Sequence, residues 1–382
     1  MKISPSFDSL TFLKETWQQK PKLLRGFIQQ CGGLISPEEL AGLACEDFLD
    51  ARIIERTNGN DVGSSWRLRN GPFQESDFIQ LPKSNWTLLV QSVDQVNEKI
   101  FKLQTLFNFI PRWRIDDVMV SFATPGGGVG PHFDNYDVFL VQGQGARRWK
   151  IGQRCGNDSP LAPCTNLSLL TNFNTTEEFL LEEGDALYIP PKFSHWGESV
   201  NDSICYSVGF RAPSMTDMLH GFTDFLAEGV DRDDRFVDRH KAIPDKITEI
   251  RSTDLHESFL TIKTLVDDKD KFLTWFGCHM TQPKYPELVE ASNNNQDKRI
   301  EDTSTLERSS FSRFAYTCEG NNQAILFVDG EAFVLDRLHK QSIEKICEAE
   351  VIEITELEGY SDSESLRKTV ASLCACGSLL IL

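Results

Sequence analysis

Short runs of β-branched and aromatic residues, separated by Gly, Pro and Asn/Asp turns, fill the chain between Asp117 and Pro213 and constrain its fold most. Runs of this length and composition, bounded by turn residues, predict strands. Strands that are so short and so closely spaced predict a sandwich or barrel. The runs are Val118–Phe122, Asp137–Gln142, Arg147–Ile151, Ala186–Ile189 and Ile204–Phe210.

Helical patterns precede this region. Apolar residues at helical spacing predict helices over Phe7–Gly26 and over about Asp94–Phe109. A further helix begins at Ser36, because Pro37 suits the first helical position and Glu39 completes a capping box. Two strand-like runs with an Asn-Gly turn between them lie within this part: Arg52–Glu55, Asn58-Gly59 and Trp66–Arg69.

Helices return after Pro213. Ser214 is placed to cap one helix, and a second helical stretch covers roughly Lys246–Phe276. The polar run Ser292–Asp297 is typical of a linker. The last part of the chain predicts a hairpin followed by two helices, as in a winged-helix-like module: Asp329-Gly330 at the turn, then about Lys340–Glu348 and Ser363–Cys376.

The balance of charges limits the possible partners. The 382 residues include 39 Lys and Arg against 57 Asp and Glu, a net charge of −18. An acidic surface repels phosphate backbones, so direct nucleic-acid binding is not expected. The same charge attracts a basic partner, although simple solubility explains it equally well. The chain shows no apolar run long enough for a membrane span and no signal peptide at its start, so we expect a cytoplasmic location.

The stretch from Pro125 to Asp134 is the most informative for chemistry. His132 and Asp134 are two positions apart, and on a strand such residues point to the same face. His195, which follows the Ala186–Ile189 run, supplies a third ligand type. Two imidazoles and one carboxylate on one face match the ligand set of non-haem iron(II) oxygenases. Zinc is the competing metal, because the same set suits a catalytic zinc site.

A 2-oxo acid that binds such an iron needs a cation for its distal carboxylate, and arginine is favoured because its planar fork binds carboxylates through two hydrogen bonds. Arg147 and Arg148 begin the strand after Gly145. Their side chains alternate, so only one of them points inward.

At these residues the sequence resembles the JmjC-type cupin oxygenases, and among them the bacterial ribosomal oxygenases that hydroxylate an arginine of a large-subunit ribosomal protein. The resemblance extends from the N-terminus to about Pro213, and beyond that it is one of layout. The stretches that carry it are Trp113–Phe122, Pro125–Asp134, Tyr136–Gly143, Leu187–Pro191, His195 and Tyr206–Pro213.

The resemblance implies an α+β fold: a double-stranded β-helix (cupin/JmjC) barrel with flanking helices, a helical dimerisation region and a C-terminal winged-helix-like domain. The corresponding domains are 1–213, 214–285 and 286–382. It also implies a homodimer, a basic large-subunit ribosomal protein as substrate, and iron(II), 2-oxoglutarate and O₂ as cofactor and cosubstrates.

The resemblance assigns roles to individual residues as well. It implies that His132, Asp134 and His195 are both the iron ligands and the catalytic centre. It implies that Arg147 and Ser121 bind 2-oxoglutarate. Asp117, Tyr136 and Ser207 correspond to the pocket for the substrate arginine, where a carboxylate and an aromatic ring suit a guanidinium group.

Departures from the family pattern leave alternatives open. The Asn/Thr-rich loop Gln153–Glu178 is expected to reshape the mouth of the site, and the C-terminal third matches poorly. One alternative is a histidine-directed ribosomal hydroxylase, against which the carboxylate of Asp117 argues. Another is a noncatalytic metal-binding cupin, against which Arg147 argues. A nucleic-acid-binding regulator is disfavoured by the acidic residues of 341–367.

Overall fold

The computed structural model describes residues 1–57, 65–163, 167–237, 246–291, 293, 299–318 and 323–382. The chain divides into two compact units, Met1–Ala212 and Pro213–Leu382. The domains expected from the sequence, 1–213, 214–285 and 286–382, remain predictions. In the described part of the chain, no helix has the length and apolar character needed to cross a bilayer.

The N-terminal unit combines short helices with antiparallel strands. Its helices are α1 (Ser9–Glu15), α2 (Pro37–Leu43), α3 (Glu75–Ile79) and α4 (Glu98–Thr105). The first strands are β1 (Lys2–Ile3), β2 (Lys22–Leu24), β3 (Ile28–Gln29), β4 (Ala51–Arg56), β5 (Trp66–Asn70) and β6 (Trp86–Val90). They are followed by β7 (Ile115–Ala123), β8 (Asp137–Gln144), β9 (Arg147–Arg154), β10 (Glu177–Leu181), β11 (Ala186–Ile189), β12 (Phe193–Ser199) and β13 (Ser203–Phe210).

Two antiparallel sheets position the site. An eight-stranded sheet has the order β2-β11-β8-β13-β7-β6-β4-β5, and a three-stranded sheet has the order β10-β9-β12. In the large sheet, Ser121 of β7 lies opposite Cys205 of β13 on one side and Leu89 of β6 on the other. In the small sheet, His195 of β12 lies opposite Ile151 of β9. This mixed arrangement of helices and antiparallel sheets agrees with the α+β class expected from the sequence.

The main core packs the helices against the large sheet. Its largest fully buried side chains are aromatic, among them Phe107, Phe139 and Tyr188. The Tyr188 hydroxyl donates to the buried Asp137 carboxylate at 2.6 Å. Because Gln18 and Arg114 also donate to that carboxylate, the N-terminal segment is tied to the sheet by polar contacts as well as by apolar burial.

Several helix predictions are correct at their starts and wrong in their lengths. The capping box at Ser36 is present, but the first helix ends at Glu15 instead of Gly26. Pro21 disfavours helical geometry in the residue before it, and Lys22–Leu24 pairs with β11 as a strand. The helix predicted over Asp94–Phe109 is a 3₁₀ turn at Val93–Gln95 followed by α4.

The C-terminal unit begins with α5 (Met215–Glu228), α6 (Ser252–Val266), α7 (Lys269–Thr281) and α8 (Pro286–Ala291). Ser214 caps α5 as predicted. The helical stretch predicted over roughly Lys246–Phe276 consists of two helices, α6 and α7: Asp268 caps α7 by accepting from the Lys271 amide, and this begins the second helix. The remaining elements are β14 (Thr305–Arg308), β15 (Phe314–Thr317), β16 (Gln323–Val328), β17 (Glu331–Asp336), α9 (Lys340–Glu348), β18 (Val351–Glu353), α10 (Glu364–Ala375) and β19 (Leu379–Ile381).

The hairpin predicted at Asp329-Gly330 is confirmed. Both residues have positive φ angles, 50° and 89°, and the turn joins β16 to β17. Helix α7 packs closely on this hairpin, since a Cβ atom on Gly277 would lie 2.3 Å from the ring of Phe327. The predicted Asn58-Gly59 turn, and all of the predicted linker Ser292–Asp297 except Asn293, lie outside the described residues.

Candidate active site

The two candidate histidine ligands are joined through their main chains. The His132 amide donates to the His195 carbonyl at 3.1 Å, and the His195 amide donates to the His132 carbonyl at 2.8 Å. His195 lies on β12, a strand that the sequence analysis did not predict. The expectation that His132 and Asp134 lie on a regular strand is wrong, because this isolated bridge is the only β pairing of that stretch in the described chain.

Main-chain carbonyls orient both imidazole rings. The Nδ1 atom of His132 lies 2.9 Å from the carbonyl oxygen of Gly130, and that of His195 lies 3.1 Å from the carbonyl oxygen of Phe193. A carbonyl only accepts hydrogen bonds, so each Nδ1 carries the proton. In the neutral tautomer that this hydrogen bond selects, Nε2 has the lone pair that a metal ligand must offer.

The third ligand completes a compact set. One ligand atom from each of His132, Asp134 and His195 lies within 4.8 Å of the other two, and the His195 Nε2 to Asp134 Oδ2 distance is 3.5 Å. The carbonyl of Asp134 accepts from the Lys192 amide at 2.6 Å, which fixes its main chain. Burial, with the neighbouring His132, lowers the pKa of His195 to about 4, so its ring is neutral at pH 7. This arrangement fits a divalent metal with open coordination positions.

A cavity of about 340 Å³ opens beside these three residues. It contains seven of the eight residues singled out from the sequence: His132, Asp134, His195, Arg147, Ser121, Tyr136 and Ser207. A second part of its wall is apolar and comes from Ile54, Leu89, Met119, Leu167 and Leu169. The cavity therefore joins a polar side, which carries the three candidate metal ligands, to an apolar side.

Arg147 is the inward-facing arginine. It is 6% exposed, and its guanidinium donates to the side chains and carbonyls of Ser121 and Ser203 at 2.8–3.2 Å. Arg148 points outward and pairs with Glu178 at 2.8 Å. Among the described residues no carboxylate pairs with Arg147, and burial lowers the pKa of its guanidinium. A buried cation without an acidic partner on a cavity wall is suited to an anionic ligand.

The three residues expected to bind substrate differ in their surroundings. Tyr136 and Ser207 line the cavity, and 45% of Tyr136 is exposed. Asp117 is buried outside the lining, and its carboxylate accepts from the amide and the hydroxyl of Ser92 at 3.1 and 2.7 Å. Burial, then the negative charges of Asp134 and Asp117, raise the pKa of Tyr136, so Asp117 is still within electrostatic reach of the mouth.

Several residues of the site could not be found from the sequence: Arg52 lines the cavity, and Ser203 accepts a hydrogen bond from the buried Arg147. Arg52 of β4 and Ser203 of β13 carried no motif, and their roles follow only from strand pairing. The loop Gln153–Glu178 was expected to reshape the mouth; Leu167, Ser168 and Leu169 from it form part of the cavity wall. Residues 164–166 of this loop lie outside the described part of the chain.

Comparisons with known proteins identify the family. Residues 102–218 match the JmjC domain family, and residues 264–379 match the ROXA-like winged helix family. The chain is 37% identical over 277 residues to the ribosomal protein uL16 3-hydroxylase of Escherichia coli (strain K12). The aligned region covers 72% of this chain and 71% of that protein. This chain belongs to the JmjC-type ribosomal oxygenases. The resemblance found in the sequence motifs is thereby confirmed.

Other ribosomal oxygenases agree with this assignment. The probable ribosomal oxygenase of Haemophilus influenzae is 35% identical over 216 residues, 56% of this chain and 52% of that protein. The superposition on the X-ray structure of E. coli ycfD covers 100% of both chains, with a TM-score of 0.84 at 28% sequence identity. A structure of YcfD, described as a ribosomal oxygenase from E. coli in complex with cobalt and 2-oxoglutarate, has a TM-score of 0.81 at 28% identity, covering 100% of this chain and 99% of that one.

Proposed function

We propose that this ribosomal oxygenase is an iron(II)- and 2-oxoglutarate-dependent hydroxylase of an arginine side chain in a basic large-subunit ribosomal protein. The observation that carries the proposal is the buried guanidinium of Arg147, which shares one cavity with His132, Asp134 and His195. A metal-binding scaffold has no use for an uncompensated buried cation, whereas a 2-oxo acid bound to the metal needs one.

The proposed roles follow from where each side chain lies. The Nε2 atoms of His132 and His195 and one oxygen of Asp134 hold the ferrous ion, which, when bound, couples the oxidation of 2-oxoglutarate by O₂ to hydroxylation of a carbon. Arg147 binds the distal carboxylate, and the Ser121 hydroxyl holds the guanidinium in place from 2.8 Å.

The substrate side chain is proposed to enter past Tyr136 and Ser207. An arginine guanidinium is stabilised by the aromatic face of Tyr136 and by the negative charge of Asp117 behind it. Neutral imidazole gains little from that charge, which favours arginine over histidine as the target. The relative from E. coli is named for hydroxylation of uL16, so the corresponding ribosomal protein is the proposed substrate.

The distribution of charge supports a basic protein partner. Residues 213–382 contain 19 Lys and Arg against 32 Asp and Glu, while residues 1–212 contain 20 against 25. The winged-helix part therefore lies in the more acidic unit. This charge attracts a basic ribosomal protein and opposes direct binding to nucleic-acid phosphates. A basic ribosomal target and the relatives' family support a cytoplasmic location for the enzyme.

We also propose a homodimer formed through the helical region. Helix α6 has no buried residue, although it carries the exposed apolar side chains of Leu255, Phe259 and Ile262. A helix gains little stability from an apolar face that contacts only water, so a second copy of the chain is its expected cover. In the N-terminal unit, we propose that the two sheets are the halves of a double-stranded β-helix barrel.

Mass spectrometry of ribosomal proteins tests the proposed reaction. Ribosomes from cells that lack the gene are incubated with the protein, iron(II), 2-oxoglutarate and air, and one basic large-subunit protein is expected to gain one oxygen atom on an arginine. Asp134→Ala and chelator-treated protein are the controls and should give no product. Turnover that survives complete removal of metal contradicts the oxygenase assignment, and oxygen on a histidine contradicts the choice of arginine.

A further inference from the structure

The loop beside the metal site includes a short segment that we call the strap, Leu167–Thr171. Two hydrogen bonds hold it against the earlier part of the loop: the Ala162 amide donates to the carbonyl of Leu169, in the middle of the strap, at 2.7 Å, and the amide of Thr171, at its end, donates to the Pro160 carbonyl at 3.1 Å. Leu169 is 1% exposed and packs in a cluster with Ile54 and Trp66. The strap is therefore a fixed part of the site.

Two contacts connect the strap to the residues just before His132. The Leu170 amide donates to the Pro131 carbonyl at 2.8 Å. The Leu169 side chain lies against Gly130, where an added Cβ would be only 2.8 Å from Leu169 Cδ2. Gly130 has φ of +82°, a conformation that favours glycine, and its carbonyl is the one that accepts from His132 Nδ1.

We infer that Leu169 is a positioning residue for the metal ligand His132, acting through Gly130. By filling the space beside Gly130, its side chain holds the carbonyl that orients the imidazole ring. Residues that orient a metal ligand commonly change metal affinity by about 10- to 100-fold when they are removed. The inference rests on the proposed metal site. Cobalt binding by the wild-type protein tests the metal site, and its change in Leu169 variants tests the inference.

Cobalt(II) binding provides a test that does not depend on turnover. The affinity of the purified full-length protein for cobalt(II) is measured by calorimetry, and the visible absorption of bound cobalt reports its ligand geometry. Leu169→Ala is expected to weaken cobalt binding by about tenfold and to change the absorption spectrum. Affinity for 2-oxoglutarate at saturating cobalt should change less than about twofold, because Leu169 is not a hydrogen-bonding partner of Arg147.

A matched control distinguishes positioning from general loss of packing. Leu40→Ala removes an equally buried leucine from helix α2, in a different core cluster. It should lower the melting temperature without changing cobalt affinity or spectrum. If Leu169→Ala does not fold, Leu169→Met decides, with an expected weakening of about two- to threefold, since this swap nearly conserves volume.

Each outcome has a defined meaning. A folded Leu169 variant with wild-type cobalt affinity and spectrum overturns the inference while leaving the proposed function intact. Failure of the wild-type protein to bind cobalt overturns the proposed metal site itself.

Gly130→Ala gives an independent check through non-additivity. This variant should weaken cobalt binding, because the new methyl group meets Leu169 and the Trp66 ring. In the Gly130→Ala background, Leu169→Ala should weaken cobalt binding by a smaller factor than it does alone, since it removes one of the side chains that the new methyl group meets. Strictly additive losses in affinity contradict direct coupling between the two residues.

Discussion

Arg147 shows how the surroundings of a single buried residue indicate the charge of the ligand that it is suited to bind. A guanidinium has five N–H donors, and here four hydrogen bonds to Ser121 and Ser203 occupy most of them without neutralising the charge. Removing a charge from water is costly unless an opposite charge compensates for it. The cavity wall is therefore suited to bind an anion, and burial of the uncompensated charge costs stability when no anion is bound.

Arg147→Met should separate ligand binding from folding. We expect the affinity for 2-oxoglutarate to fall about 100-fold, because a buried charge-assisted contact is lost. Stability without ligand should fall little, since the burial cost of the cation disappears with it. Thermal unfolding with and without 2-oxoglutarate, in the presence of cobalt(II), measures both effects.

Arg148→Met is the matched control for this prediction. Arg148 is the next residue on the same strand, but it faces solvent and pairs with Glu178. The variant should retain full stabilisation by 2-oxoglutarate. If Arg147→Met is stabilised as strongly as the wild type, the distal carboxylate binds elsewhere.

Residue types and spacing predicted that His132, Asp134 and His195 come together, while the contacts around them depend on tertiary structure. His132 and Asp134 share a motif, and alternation limited the inward arginine to one of two neighbours. Nothing in the sequence relates Ser203 to Arg147, because strand pairing brings them together. The hydrogen bonds from Ser92 to Asp117 also depend on tertiary structure, so the sequence could not predict them.

At the scale of elements, β12, which carries His195, is a strand that the sequence pattern did not predict. Its residues, Phe193–Ser199, include Ser, His, Gly and Glu, which have little preference for strands. The strand is instead stabilised by its hydrogen bonds to β9. The glycine-rich segment before His132 lies along its other side. Gly126 donates to the Ser199 carbonyl at 2.8 Å, and Ser199 donates to the Gly127 carbonyl at 2.9 Å.

This close approach explains the need for glycine at position 128. A Cβ atom there would lie 2.1 Å from the carbonyl oxygen of Gly197, and main chain cannot move aside as a flexible side chain does. Gly128→Ala should therefore lower the free energy of unfolding by about 2 kcal/mol. It should also weaken cobalt binding, because the strand that bears His195 is displaced. Chemical denaturation and cobalt titration measure the two effects.

Gly156→Ala is the control for that substitution. A Cβ atom at Gly156 would meet nothing within 4 Å, and its φ angle is not in the left-handed region. Its stability should remain within about 0.5 kcal/mol of the wild type. Equal effects of the two substitutions would show that the approach of the glycine segment to β12 does not determine stability.

At the scale of the whole molecule, the two units differ in charge and in how well their helices are covered. The N-terminal unit is nearly balanced, while most of the excess acidic charge lies after residue 212. The C-terminal unit contains α6, which has no buried side chain. It also contains a well-formed core around Leu326, Ile343 and Val370. The core explains how the winged-helix part is stable, and in the described part of the chain no residue of α6 is buried.

Phe259→Asp tests whether a second copy covers that face. Phe259 is 62% exposed within the single chain. If α6 lies at a dimer interface, an aspartate there is buried without a partner, and the dissociation constant should rise by at least about 100-fold. Sedimentation velocity across a range of concentrations should show dimers for the wild type and monomers for the variant. Ile79→Asp, at a position in α3 that is 83% exposed, should leave the dimer unchanged. A wild-type protein that sediments as a monomer at micromolar concentration would mean that α6 has another partner.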